Sequence, residues 1–587
     1  CVSAFVGPDT NEGTAWKIAM LTKTLEKKLD FLDPLDAMPK HLIDNKDALG
    51  LRHYQYNYLS RCANTMPTYF QRLMPPSVTC PAISAAITPR LRRSMELLAE
   101  AHATPEDERD EWWERCQLDV NMGGQGIGGH EARSAPAFCA QVAQSWPRLR
   151  AASPALAHLD GVTHSIPMLD EFMGHYTDLV TECGEIAHEH KRLNDAFFYT
   201  TVRGGKEHYF NPKSLPPATK LPSAARLLQV NDKSSKFLPP AQRKLTFIVK
   251  HRRFLAARDT AQKRDQSHPH PTTRFRTEAL LISNAQPAAG APFEIAPDGT
   301  PGTTMDDLTF LHYLQRQGGL DISRAKSCND VLEATGHVVD RKGDNLQNTV
   351  DSGQFTRRHQ KGLNAIAAMV RAVSIGSVVL GDKAKPELTE ELNSTHTVDI
   401  AEVGGDMRNN RNVLYELKTP TATKHLWAAG RGSPDNGGAP ASTGHLVGFG
   451  NTDEFYRAKV LGTKQRGQPT DPPLDHVTGA GHVKESRGQY HDAFLVKKSI
   501  VIVFLVEAGS GGICPQGVKS INFLHERAKG VRDGTQYGKS NIATRSFRRH
   551  HTQRISFAVV AQDAHNIAHN VKHGKIREVA VSAARFM

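Results

Sequence analysis

Along the first 200 residues, apolar positions recur at intervals of three and four. In TAWKIAMLTKTLEKKLDFL (14–32) lysines fill the gaps, which predicts an amphipathic helix. HYQYNYLSRCANTMPTYFQRL (53–73), ITPRLRRSMELLAEA (87–101) and PMLDEFMGHYTDLVTECGEIAHEHKRL (167–193) read the same way. From 201 to about 305 the period is lost among prolines and basic residues, as in NPKSLPPATKLPSAARLLQ and QSHPHPTTRFRTE. That composition predicts a basic Pro/Gly-rich connector, partly disordered, with short structured patches. Order returns after 305. TRRHQKGLNAIAAMVRAV (356–373) sets Leu363, Ile366, Val370 and Val373 on one helical face behind a basic first turn. Two strands follow in TVDIAEVGGDMRNNRNVLYELKT (397–419), then a Gly/Pro-rich loop. The apolar strand SIVIVFLV (499–506) and a helix around GVKSINFLHERAKG (517–530) come after it. The fold class expected is mixed, with a helical unit at 1–200, a connector at 201–305 and an α/β domain at 306–587.

Composition narrows this picture only slightly. Lys plus Arg number 73 against 61 Asp plus Glu, a net charge of +12 that leans toward a polyanionic partner. The eight cysteines form no C-x-x-C pair, the pattern of a reduced intracellular protein. No secretory leader is read at the N-terminus, and the longest apolar run is far too short to span a bilayer. The expectation is a soluble protein, nuclear or cytoplasmic, that binds no membrane. A chain starting at Cys1 reads as a fragment.

The chemistry lies in the two strands at 397–419. An acidic side chain inside a strand needs a partner, because burying a lone carboxylate is expensive. Asp399 and Glu416 on adjacent antiparallel strands would converge on one Mg²⁺ or Mn²⁺, hard ions that prefer carboxylate oxygen. Lys418, two residues past Glu416, shares its face of the strand. Its amine is placed to act on a metal-bound water or on charge developing at a phosphate. An exposed hairpin with alternating polar residues fits the same letters. The D-x16-E-x-K spacing is that of PD-(D/E)xK restriction-like nucleases. The order helix, hairpin, later helix and apolar strand suits their core.

Longer stretches carry a resemblance. GHLVGFGNTDEFYRAKVLGTKQRGQPTDPPLDHVTGAGHVKESRGQYHDAF (444–494), VIVFLVEAGSGG (501–512) and SFRRHHTQRIS (546–556) resemble a nuclease-like segment at the end of retroelement reading frames. LYELKTPT (414–421) matches the hairpin end common there. YLSRCANTMPTYFQRLMPP (58–76) resembles the thumb helices of a non-LTR retrotransposon reverse transcriptase, and LDVNMGGQGIGGHEARSAPAFCAQVAQSWPRL (118–149) the segment beyond that thumb. The resemblance covers about half of the chain, in the expected order. It implies a reverse-transcriptase thumb remnant, a connector and an endonuclease that nicks target DNA, with element RNA as a further partner.

Two departures stand out. No Tyr-x-Asp-Asp precedes the thumb-like helices, so no polymerase activity is expected. The zinc knuckle that often precedes such a nuclease is reduced to Cys328, Gly343, Asp344, Arg358 and His359, with Asn345 in a histidine's place. One cysteine with distant histidines is not a zinc site, and zinc is not expected. Arg357, Arg358 and His359 at the helix start, with Arg548 and Arg549, are the expected phosphate contacts. Met305-Asp306-Asp307 reads as a capped helix start rather than a polymerase turn. The glycines of GGQGIGG (123–129) read as a tight backbone turn, and Glu507 as the cap of its strand. The rival readings are a decayed element that only binds nucleic acid and a host protein using the fold as an interaction platform.

Overall fold

The computed structural model describes residues 11–36, 50–154, 166–192, 224–229, 241–267, 276–322, 341–347, 353–381, 398–406, 411–421, 499–531 and 546–573, with residues 287 and 375 excepted. Short pieces elsewhere are also described, Val460, Tyr490 and Ala493 among them. Cys328 and most of 444–494, on which part of the resemblance rests, lie outside the described residues.

Helices dominate. The N-terminal unit contains α1 (Asn11–Leu29), α2 (Leu51–Arg61), α3 (Pro76–Leu98), α4 (Glu106–Cys116), α5 (His130–Ala152) and α6 (Pro167–Arg192). Leu21, Leu25 and Leu29 of α1 pack on Ile83, Ile87 and Leu91 of α3 in one core. The turn between α4 and α5 is as the glycines suggested. Gly123, Gly126, Gly128 and Gly129 have positive φ, and a Cβ on Gly124 would lie 2.1 Å from the Leu118 carbonyl oxygen. Among the described residues no helix is long and apolar enough to cross a membrane.

The connector differs from expectation. It contains α7 (Ala241–Ser267) and α8 (Arg276–Asn284). Leu245, Ile248, Phe254, Arg258, Ala261 and Asp265 are buried at helical spacing. Asp265 accepts the Thr277 and Glu278 amides at 2.9 Å, capping α8, and Arg258 donates to Glu278 at 2.7 Å. Single apolar residues separated by basic ones carry the period of α7, which is why it reads as charged linker.

The boundary at 305–306 is also crossed. In α9 (Asp307–Gly318), Asp306 is the N-cap and accepts the Thr309 amide at 2.9 Å, so the first acid of the pair caps a helix. Phe310 and Leu314 of α9 join the N-terminal core, and Asp307 accepts the Arg52 amide at 2.7 Å.

Beyond α9 comes α10 (Gln354–Val373), then a four-stranded mixed sheet of β1 (Val378–Leu380), β2 (Ile400–Asp406), β3 (Arg411–Lys418) and β4 (Ile500–Leu505) in spatial order β1-β2-β3-β4. Only the β3–β4 pair is parallel. The period of two sorts its side chains. Val413, Tyr415, Leu417, Ile502 and Phe504 face α10, α11 (Pro515–Val531) and α12 (Phe547–His573), against Ile366, Val370, Leu524 and Val559. Leu414, Val501, Val503 and Leu505 face the other way, with Val398, Val460 and Tyr490.

His53 on α2 is expected to make the helical core sensitive to acid. Its ring is fully buried and stacked on Phe310, with centroids 4.5 Å apart. Nε2 donates to the Pro292 carbonyl at 2.9 Å and Nδ1 accepts the Met305 amide, so the neutral tautomer satisfies both nitrogens. Burial lowers its pKa from 6.5 to about 4, and burial likewise takes His130 to about 3. A folded pKa below the unfolded one means stability that is full above about pH 6.5 and is lost as pH falls toward 4. The melting temperature is expected to drop across that interval; one that held steady or rose would refute the assignment.

Candidate functional site

The β2–β3 register places the predicted residues together. Ile400 pairs with Tyr415 and Ala401 with Leu414, so one step back Asp399 stands opposite Glu416, and directly opposed residues share a face. Asp399 occupies a bend just before β2. Its Oδ2 accepts the Leu417 amide at 2.8 Å and lies 3.2 Å from Nε2 of His359 on α10. That nitrogen also donates to the Leu417 carbonyl at 3.1 Å. Among the described residues Oδ1 of Asp399 takes no hydrogen bond.

Glu416 is buried, with 5% of its surface exposed. The Lys418 amine donates to its Oε1. The Tyr490 hydroxyl donates to its Oε2 at 2.5 Å, in the range of charge-assisted O–H···O⁻ bonds. Burial, and after it the Asp399 charge, raise the Glu416 pKa above the usual carboxylate value, against the pull of Lys418 and Tyr490. Burial opposes a proton on His359, yet the Asp399 and Leu417 contacts outweigh it and the imidazole pKa is raised.

Asp399, Glu416 and Lys418 therefore meet at one end of the sheet, two carboxylates and one amine. Two carboxylates suit Mg²⁺, which is commonly bound through one or two carboxylates while keeping several waters. Among the described residues no three His, Cys, Asp or Glu side chains group as a metal cage. Asp344 of the knuckle-like stretch is taken by Arg316 at 2.6 Å and by Arg276.

The expected phosphate contacts divide. Arg357, Arg548 and Arg549 are exposed, Arg549 lying 3.6 Å from Glu294. Arg358 is not a surface cation: it is 1% exposed and its guanidinium is paired with Asp563 of α12, itself 3% exposed. Helical spacing explains the correction, because Arg358 lies four residues before Gly362 and eight before Ile366 on the buried face. His359 is turned inward to Asp399 and Leu417. Glu507 accepts the Ser510 amide at 2.5 Å and closes the turn after β4.

Tyr490 was not legible as a site residue, being 74 positions beyond Glu416 with no local pattern to mark it. Another buried carboxylate, Glu402 on β2, accepts Ser374 at 2.7 Å and Arg527 of α11 at 2.9 Å, which fastens α11 to the sheet. No family model, curated protein or solved structure matches the chain.

Proposed function

We propose that the chain is a retroelement-derived, Mg²⁺- or Mn²⁺-dependent DNA endonuclease fragment that nicks target DNA. The observation that carries this reading is the pairing of Asp399 with Glu416 across the hairpin, with the Lys418 amine on Glu416. The succession of α10, three strands, a later parallel strand and α11 supports a restriction-like core.

Asp399, through Oδ1, and Glu416 would hold the metal. When bound, it would lower the pKa of a coordinated water and neutralise phosphate charge. The chain's own residues do the rest. His359 and the Leu417 amide fix the Asp399 carboxylate. Lys418, partly exposed beside a buried acid, donates to Glu416 or turns to a phosphate oxygen. Arg357, Arg548 and Arg549 give sequence-independent contacts to the DNA backbone. The N-terminal helices would be a thumb remnant with no polymerase chemistry.

Supercoiled plasmid incubated with the protein and Mg²⁺ is expected to convert to nicked circles, and EDTA to stop it. Nicking that persists in EDTA, or none in Mg²⁺ or Mn²⁺, would sink the proposal. The internal bonding of both carboxylates favours one alternative, a catalytically dead element protein that only binds nucleic acid. That reading predicts retarded DNA on a gel without nicking.

A further inference from the structure

We infer that Tyr490 is a positioning residue that aims the Glu416 carboxylate at the metal; this rests on the metal-site reading above. Tyr490 is 1% exposed and packs on the face of the sheet that carries Glu416. Its backbone N–H donates a hydrogen bond to the Val460 carbonyl at 2.9 Å. A buried phenol needs hydrogen-bond partners; here the hydroxyl donates to Oε2 of Glu416 and also meets the Asp399 backbone.

One donor leaves a carboxylate free to swing about its last torsion, which is broad and roughly two-fold. Two donors from separate elements, Lys418 on Oε1 and Tyr490 on Oε2, fix both the position and the plane of the group. Each carboxylate oxygen has about two acceptor sites, so each keeps one for a cation after these bonds are made. Tyr490 touches neither the metal nor the DNA in this arrangement. It acts through Glu416, as partners behind a ligating carboxylate do, and loss of such a partner lowers metal affinity by about 10–100-fold.

The test titrates Mn²⁺ into the full chain, reading free Mn²⁺ by electron paramagnetic resonance, for wild type, Tyr490→Phe and Asp399→Asn. Melting temperatures in EDTA are measured alongside. Phenylalanine keeps the ring that fills the core and removes only the hydroxyl. Wild type is expected to bind Mn²⁺, Asp399→Asn to lose it, and Tyr490→Phe to bind about 10–100-fold more weakly while still folded. A tyrosine that merely props up the fold would lower the melting temperature and leave the Mn²⁺ affinity of the folded protein unchanged; that result overturns the inference alone. Wild type that binds no Mn²⁺, or Asp399→Asn that binds like wild type, overturns the metal-site reading and this one with it.

Discussion

Lys418→Ala is expected to slow plasmid nicking by about 10²–10³, the usual loss when a preorganised electrostatic contact to a transition state is removed. DNA affinity should hardly change, because distributed phosphate contacts supply most of it. Asp399→Asn is the companion variant. It keeps a carbonyl oxygen to receive the Leu417 amide, which Asp399 accepts at 2.8 Å, but removes the charge a cation needs. Nicking should vanish while the protein still melts cooperatively. The measurements are nicking rate, DNA affinity and melting temperature for wild type and both variants. Lys418→Ala that nicks at the wild-type rate removes the lysine from the mechanism.

Arg358→Ala carries the largest expected effect on stability. Asp563, 3% exposed, would be left without the guanidinium that pairs with it. Breaking a buried pair by deleting one partner typically costs about 3–5 kcal/mol, because an uncompensated charge stays in the core. Replacing both members with apolar side chains of similar volume is often neutral. Arg358→Met with Asp563→Leu is therefore expected to recover most of the loss in urea unfolding. Were Arg358 a phosphate contact instead, Arg358→Ala would flatten the salt dependence of DNA binding by about one unit of slope and leave the urea midpoint in place. That pattern would overturn its structural role.

The contrast between Arg358 and Asp399 shows what the chain spells out locally. Asp399, Glu416 and Lys418 are legible because strand alternation and hairpin register are short-range: one turn fixes which residues face each other. Arg358 was legible too, through the same period that marks α10. Continued one turn toward the N-terminus, the buried face of Gly362 and Ile366 reaches Arg358, and the Leu363 edge reaches His359. Charge at a helix start misleads when it is read without that period. Tyr490 is different in kind, since its place against Glu416 depends on how a distant segment closes over the sheet. The helix α7 was hidden by composition, as its apolar positions are outnumbered by basic ones.

The last long helix, α12, belongs to two cores at once. Phe557, Val560 and Ala564 lie with the N-terminal helices, while Phe547, Ile555 and Val559 lie against the sheet side. Neither core can be completed until residues 547–573 have left the ribosome. Both cores therefore wait on contacts of high sequence separation, which form slowly because loop closure precedes any gain in packing. During synthesis the N-terminal helices would emerge with an apolar face uncovered, a state in which a chaperone can bind. A piece starting at 306 would keep Phe310 and Phe557 but lose His53, whose ring lies against both, and would leave that side of α9 and α12 without its α2 cover.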